Sequence, residues 1–437
     1  MTVEGRPAVG AVYARPDVAV LGLWHLGVVT AAGLAGTGAG VVVWDPDPEL
    51  RATLASGHAP VLEPGVDDAL AAALAADRLA VAGSAHAAVA SAAVTVLAYD
   101  TAVDEDGLPH DPRLDNAVTA FTAEAPDGAL LLVTSQVPIG TCARWKRELD
   151  DARRGLLLAH APENLRLGSA LDDFVHPPRL LIGADDDAAF MQAAELLAPL
   201  ETEPRRLALA SAEMAKHATN AYLGLCIAFA NDLAWLSEFA GADALEVADA
   251  LRADPRVSPT APLRPGTAFS GATLSRDLST LRAVGKAAGR PDLFSAILAA
   301  NERHAQLAVT LLEDELGSLA SCRVAVAGLT YKAGTSTLRD SLPLRVVARL
   351  VACGATVAAW DPAAEAFAPG PGVTRAATLE DAVRGADALA VLTALPELRA
   401  VDLSALEPRR RVLVDVCGGT NRLETESAGW RVRSFPR

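Results

Sequence analysis

Several groups of polar residues in this chain stand at spacings that can do chemistry. The first is Gly22-Leu23-Trp24-His25-Leu26-Gly27, which follows an apolar run at residues 18–21 and leads on to Asp45. In a strand–turn–helix–strand unit the first glycine of such a series bends the chain, and the last lets the helix pack on the strand. The helix N-terminus then offers unpaired amides and a positive dipole end to a pyrophosphate. Gly22 and Gly27 fill the first and last positions, and Trp24 occupies the middle one. Asp45, 18 residues past Gly27, would accept hydrogen bonds from an adenosine ribose and repel a 2′-phosphate. The unit predicts binding of NAD rather than NADP; a purely structural strand–helix–strand unit is the alternative.

Three other segments carry groups suited to acid–base work. Ala161-Pro162-Glu163-Asn164-Leu165-Arg166-Leu167-Gly168 follows an apolar strand, where ligands of α/β sheets bind. Lys216 and Asn220 are four apart on a helical pattern and so share one face. Residues 265–277 read as a flexible loop that ends in Arg276 and Asp277. A second glycine turn, Gly328-Leu329-Thr330-Tyr331-Lys332, lacks the glycine series, and its lysine suits a phosphate or a sugar better than a second dinucleotide. Each group has a plainer reading: Lys216 and Asn220 as ordinary helix residues, Glu163 as a helix-start acid, Asp277 as an N-cap, Lys332 as a surface lysine, His217 as a packed or surface histidine.

The elements that must position these groups alternate. Apolar strands are expected at residues 18–21, 40–44, 94–98, 129–133, 156–159 and 180–183, with helices between them, which implies a parallel sheet covered on both faces. A long helix follows at 208–239, then a Pro/Gly-rich loop at 254–271 and further helix to about 318. The opening theme then returns. A strand at 323–327 leads into the Gly328 turn, a helix covers 342–353, and the strand 356–360 ends in Trp360-Asp361-Pro362, which parallels Trp44-Asp45-Pro46. The fold class is therefore α/β, with two Rossmann-like domains joined by a long helical spine. The expected division is residues 1–207, 208–318 and 319–437, after a loose arm at 1–16.

The chain has 437 residues, 51% of them hydrophobic, and a formal charge of −16. A uniformly acidic chain with no basic run argues against nucleic acid or an anionic membrane as the main partner. The apolar run 18–44 holds a histidine and several glycines and ends in Asp-Pro-Asp-Pro, so it reads as buried structure and not as a membrane span. The cysteines are Cys142, Cys226, Cys322, Cys353 and Cys417. Their odd number and scattered spacing fit free thiols in a reducing cytoplasm, with no metal-binding pattern.

Taken together, these segments resemble the UDP-glucose/GDP-mannose dehydrogenase family of nucleotide-sugar 6-dehydrogenases. Glu63-Pro64-Gly65, Val137-Pro138-Ile139-Gly140-Thr141 and Arg339-Asp340-Ser341 add to the resemblance, which covers nearly the whole chain. It implies an N-terminal NAD domain, a helical dimerisation spine, a C-terminal domain for a UDP- or GDP-linked sugar, and a homodimer. It implies Glu163, Lys216, Asn220 and Asp277 as catalytic residues, with Thr273 at the position of the family's nucleophilic cysteine. Gly22, Trp24, Leu26, Gly27, Asp45, Thr101 and Gln136 would meet the cofactor. Glu163, Leu165, Arg166, Lys216, Arg256, Phe269, Gly271, Lys332 and Arg339 would meet the substrate, Arg256 from a neighbouring subunit.

The departures from the family pattern bear on the reaction. Thr273 stands for the cysteine, Arg276 for a lysine, Gln136 for a water-holding threonine, and Leu167 for a second acid. The usual reaction removes four electrons and captures an aldehyde on a thiolate before the second hydride leaves. A threonine hydroxyl is a far poorer nucleophile unless a base activates it. The first hydride transfer needs only NAD, a base and stabilisation of an alkoxide-like transition state. The expectation is a two-electron oxidation of a secondary C6 alcohol to a ketone, on a nucleotide sugar longer than a hexose, such as the octose precursor of lincosamide antibiotics. The alternatives are a thiol-independent uronate-forming oxidation, an NAD-assisted epimerisation, and a non-catalytic nucleotide-sugar-binding protein.

Overall fold

Strand β1 (Val18–Leu21) is Val-Ala-Val-Leu, wholly buried on both faces. Val18 and Val20 belong to one apolar cluster, Ala19 and Leu21 to another, as alternation across a covered strand requires. The computed structural model describes residues 17–104, 108–163, 165–290 and 292–434. The arm expected at residues 1–16 and Asn164 lie outside them.

After β1 come α1 (His25–Gly36), β2 (Val41–Trp44), α2 (Pro48–Ala55), α3 (Val66–Ala75), β3 (Leu79–Val81), α4 (Ala85–Ser91) and β4 (Val94–Leu97). Then follow α5 (Pro112–Glu124), β5 (Leu130–Val133), α6 (Thr141–Asp151), β6 (Leu157–His160), α7 (Ala170–Val175), β7 (Leu180–Gly183), α8 (Asp187–Leu197) and β8 (Pro204–Leu207). The strands form one sheet in the order β3-β2-β1-β4-β5-β6-β7-β8, parallel except for the antiparallel β6–β7 pair. The Asp-Pro-Asp-Pro string is resolved into three jobs. Asp45 ends β2, Asp47 caps α2 through a 2.8 Å bond from the Glu49 N–H, and Pro48 starts that helix without needing an amide partner.

The long helix α9 (Leu209–Ala240) carries the chain from one half to the other. Beyond it lie α10 (Ala244–Ala253), α11 (Ala272–Ala287), α12 (Asp292–Ala305) and α13 (Leu307–Leu316). They are followed by β9 (Arg323–Ala327), α14 (Leu342–Ala352), β10 (Thr356–Trp360), β11 (Val373–Arg375) and α15 (Leu379–Val383). The chain ends in β12 (Ala388–Val391), β13 (Val412–Asp415), α16 (Arg422–Ser427) and β14 (Arg431–Ser434). The second sheet is wholly parallel, in the order β11-β10-β9-β12-β13-β14.

Both sheets therefore carry the doubly wound order 3-2-1-4-5-6, with switch points between β1 and β4 and between β9 and β12. Contacts divide the chain into two compact units, the first reaching His217 and the second starting at Ala218. The sequence suggested a separate central segment. In the structure Ala234, Ala268 and Leu312 share an apolar cluster with Val324 and Val326 of β9, so that segment is packed into the second unit. The short strands β3, β8, β11 and β14 were not expected, because three or four half-exposed residues carry little periodic signal.

Candidate active site

In the first unit the Gly22 turn closes against the end of β4. Gly22 has φ +102°, and a Cβ there would lie 2.8 Å from the Ala98 backbone. A Cβ at Gly27 would lie 1.8 Å from the Gly22 carbonyl oxygen. These are the two places where only glycine fits. Trp24 has φ −78°, which any residue adopts, so the middle position does not need glycine for its backbone. Its indole is partly exposed at the start of α1, whereas Leu26 is buried. The cradle fits a dinucleotide: a glycine pinned against the neighbouring strand, a helix starting three residues later, and an acid at the end of β2.

Asp45 is buried and already engaged. One carboxylate oxygen accepts from the Leu23 N–H at 2.8 Å, the other from the Asp47 N–H at 2.9 Å. Each oxygen keeps a lone pair for a ribose hydroxyl. Burial, then Asp45, pushes the nearby Tyr99 phenol far above its usual range. Thr101 is also buried, and its hydroxyl donates to the Gln136 carbonyl at 2.8 Å.

The Gln136 side chain does something the sequence did not show. Its Nε2 lies 3.1 Å from His217 Nδ1, and His217 Nε2 lies 3.0 Å from the Val137 carbonyl. The carbonyl can only accept, so His217 donates to it from Nε2. The Gln136 carboxamide, expected to meet the cofactor, is bonded to His217 of α9 in this structure. His160, at the end of β6, donates from Nδ1 to the Val133 carbonyl at 2.9 Å. Burial holds its pKa down at about 4, so this imidazole is neutral near pH 7. Both histidines pin strand ends to their surroundings. The clue in the sequence was a histidine ending an apolar strand two residues before Pro162-Glu163.

Lys216 is buried, and its Nζ donates to the Glu163 backbone carbonyl. The Glu163 carboxylate folds back onto the Leu165 N–H. Leu165 packs on the apolar core, and Arg166 grips Asp173 with two nitrogens while most of its side chain stays exposed. That bond raises the Arg166 pKa.

In the second unit Asn220 Nδ2 donates to the Asp277 carboxylate, and Asp277 is fully buried. Arg276 Nε stands 3.8 Å from the same group. The expected flexible loop is neither loose nor wholly a loop. Helix α11 begins at Ala272, so exposed Thr273 lies in its first turn and Asp277 one turn further along the same face. Asp277 is thus inside the helix and not its N-cap. The preceding strand of chain is fastened by side chains. Asn301 bonds both the N–H and the carbonyl of Phe269 at 2.8 Å, Asn231 takes the Gly266 N–H at 2.9 Å, and His304 donates to the Gly266 carbonyl at 2.7 Å. These amide residues sit in alanine-rich helices and were passed over in the sequence.

Gly271 has φ +77°, a conformation that favours glycine, and a Cβ there would lie 2.8 Å from the Tyr331 ring. Its N–H donates to the Asp340 carbonyl at 3.2 Å, so the end of this loop is tied to the turn that holds Lys332 and Arg339. Both of these cations are exposed. Arg256 is exposed and bonded to Asp254 at 2.9 and 2.6 Å, which raises its pKa.

With this geometry in place, comparison with known proteins gives a consistent result. The UDP-glucose/GDP-mannose dehydrogenase family's NAD-binding domain matches residues 16–201, its central domain residues 210–303, and its UDP-binding domain residues 325–422. A UDP-glucose 6-dehydrogenase of Haloferax volcanii is 32% identical, over 91% of this chain and 96% of that protein. One of Pseudomonas aeruginosa is 33% identical, over 91% and 92%. The structure resembles that of a UDP-glucose dehydrogenase from Pyrobaculum islandicum, with a TM-score of 0.85 and 30% identity over 96% of this chain and 98% of that one. The chain belongs to the UDP-glucose/GDP-mannose dehydrogenase family and is an NAD-dependent nucleotide-sugar dehydrogenase.

Proposed function

We propose that this enzyme oxidises a nucleotide-linked sugar at C6 and stops after two electrons, converting a secondary alcohol to a ketone. The observation that carries the reading is Thr273, exposed on the first turn of α11 one turn before the buried Asp277–Asn220 pair. The position expected for a thiol nucleophile holds a hydroxyl, while the acid–base residues remain. NAD supplies the hydride acceptor. Lys216 stabilises negative charge on the C6 oxygen, Asn220 orients the substrate, and Asp277 takes the hydroxyl proton directly or through a water. A ketone has no hydrogen left on that carbon, so no second hydride can leave. A sugar longer than a hexose, of the kind used in antibiotic biosynthesis, provides such an alcohol.

Lys332 and Arg339 are the groups proposed to hold the nucleotide diphosphate, with Phe269 and Gly271 shaping the sugar side. The five unpaired cysteines fit a cytoplasmic setting. Tyr222, Leu225, Phe229, Leu236 and Phe239 form an exposed apolar stripe along α9, and a second copy of the chain is the proposed cover.

The deciding experiment counts NADH released per nucleotide sugar consumed and identifies the product. One equivalent and a ketone are expected. Two equivalents and a carboxylate would favour uronate formation, with Glu163 activating water. No net NADH with an inverted C6 centre would favour epimerisation. Lys216→Met should lower kcat about 100-fold or more if the lysine stabilises the oxyanion.

A further inference from the structure

The Glu63-Pro64-Gly65 string brings a buried acid to the cofactor turn. Glu63 Oε2 lies 2.8 Å from His25 Nε2 and accepts the Gly168 N–H at 3.0 Å, while Oε1 accepts the Ala170 N–H at 2.9 Å. His25 is the first residue of α1, inside the Gly22 turn. Gly168 and Ala170 stand more than 100 positions beyond Glu63, shortly after Glu163. One carboxylate thus bridges the cofactor turn and the stretch of chain that follows Glu163.

The far end of the bridge is closed. The Arg166 N–H donates to Asp173 at 2.9 Å and its guanidinium grips the same acid, so residues 166–173 shut on themselves with Gly168 and Ala170 inside. Phe174 then packs where α1 has no side chain: a Cβ at Gly33 would lie 2.2 Å from its ring. On the other side of the loop, Leu165 packs on the core that α1 also enters, and the Glu163 carbonyl takes the Lys216 ammonium. A buried carboxylate costs more than a buried apolar side chain unless donors satisfy it. The donors here come from two stretches distant in sequence, so the acid fixes one against the other.

We infer that Glu63 is a positioning residue for hydride transfer: through His25 it holds the Glu163 stretch, and with it the Lys216 ammonium, in place relative to the cofactor turn. NAD, by ordering the start of α1, steadies that stretch in turn. The inference rests on NAD occupying the Gly22 turn and on Lys216 stabilising the C6 oxygen.

The test is the rate of NADH formation in a single turnover of the full-length protein at saturating NAD and UDP-glucose, whose C6 alcohol can lose one hydride without a thiol. His25→Leu leaves both backbone bonds of Glu63 in place and should slow the step about tenfold. Glu63→Gln, which keeps one acceptor oxygen, should slow it at least as much. His25→Gln, whose amide can donate to the same carboxylate, should recover most of the rate lost in His25→Leu. In a Lys216→Met background the His25→Leu change should cost less than about twofold more, because the group it positions is gone. A wild-type rate in His25→Leu, or the same factor in both backgrounds, would overturn the inference and leave the role of Lys216 standing. A wild-type rate in Lys216→Met alone would overturn that role and the inference with it. Hydrogen exchange at Gly168 and Ala170 decides without a sugar. Saturating NAD should slow it about tenfold in the wild type and less than about twofold in His25→Leu. Equal slowing in both would overturn the bridge.

Discussion

The two sheets begin with the same sentence and finish it differently. In the first, β1 turns at Gly22 and α1 starts at His25. In the second, β9 turns at Gly328, also at positive φ, but α14 does not start until Leu342. The intervening chain is a loop that carries Lys332 and Arg339 on its surface. The aspartate that ends the next strand differs too. Asp45 accepts one amide on each oxygen, whereas Asp361 accepts the Leu329 N–H, the Thr330 N–H and the Thr330 hydroxyl on one oxygen, at 2.7, 2.9 and 3.0 Å, and the Ala363 N–H on the other. One turn leads straight into a helix N-terminus and leaves each oxygen of its acid a lone pair. The other delivers side chains and spends its acid on holding its own loop. A shared strand order thus builds a cradle that fits a dinucleotide in one place and a loop presenting two exposed cations in the other.

The largest test of this contrast is at the glycines. Gly22→Ala should weaken NAD binding about 100-fold or more, because the new Cβ meets the Ala98 backbone at 2.8 Å and the residue is held at positive φ. Gly328→Ala meets Thr393 at 2.5 Å and should damage nucleotide-sugar binding while leaving the NAD affinity of the first turn unchanged. Titration of each variant with each ligand checks both; a loss of NAD binding in the second variant would erase the distinction.

The pair of aspartates tests the contrast through stability instead of binding. Asp361→Ala strands four donors and should cost roughly 4 kcal/mol, against roughly 2 kcal/mol for Asp45→Ala, which strands two. Hydrogen exchange of β9 and β10 compared with β1 and β2 reads the two effects separately.

Acid should distinguish the sheets as well. His160 has its pKa lowered from 6.5 to about 4 by burial, and residues 319–437 contain no histidine. Between these values the unfolded chain binds a proton that the folded chain refuses. The contribution is complete above pH 6.5 and is lost as the pH falls toward 4, by up to about 3 kcal/mol. Exchange of β5 and β6 should accelerate over that window, and His160→Asn should flatten the dependence. The smallest effect expected is at Lys332. Lys332→Ala should raise the KM for the nucleotide sugar about tenfold and leave the KM for NAD unchanged, as befits one exposed phosphate contact.

Much of this was legible in the residues because it is local. Gly22, Gly27 and Asp45 stand at fixed offsets along one strand–helix–strand unit, and Lys216 and Asn220 share a helix face by their spacing alone. The repeated Trp-Asp-Pro string disclosed the second sheet for the same reason. The bonds of Asp100 and His160 were not legible, since their partners stand on other elements: the Leu26 amide on α1 and the Val133 carbonyl on β5. The bond from the Gln136 carboxamide to a histidine 81 positions away was equally hidden.

By itself, then, the amino-acid order determined the class of fold, the NAD turn and the family, because each depends on patterns a few residues long that set backbone shape and burial. Tertiary structure alone decided which polar groups are spent on holding the framework and which face the site. It packed the central helices with the second sheet, began α11 at Ala272 so that Thr273 and Asp277 share a face, and placed an aspartate on the Leu26 N–H near the start of α1. A hydrogen bond is satisfied by whatever partner the folded chain brings within about 3 Å, and that partner has no fixed distance in sequence.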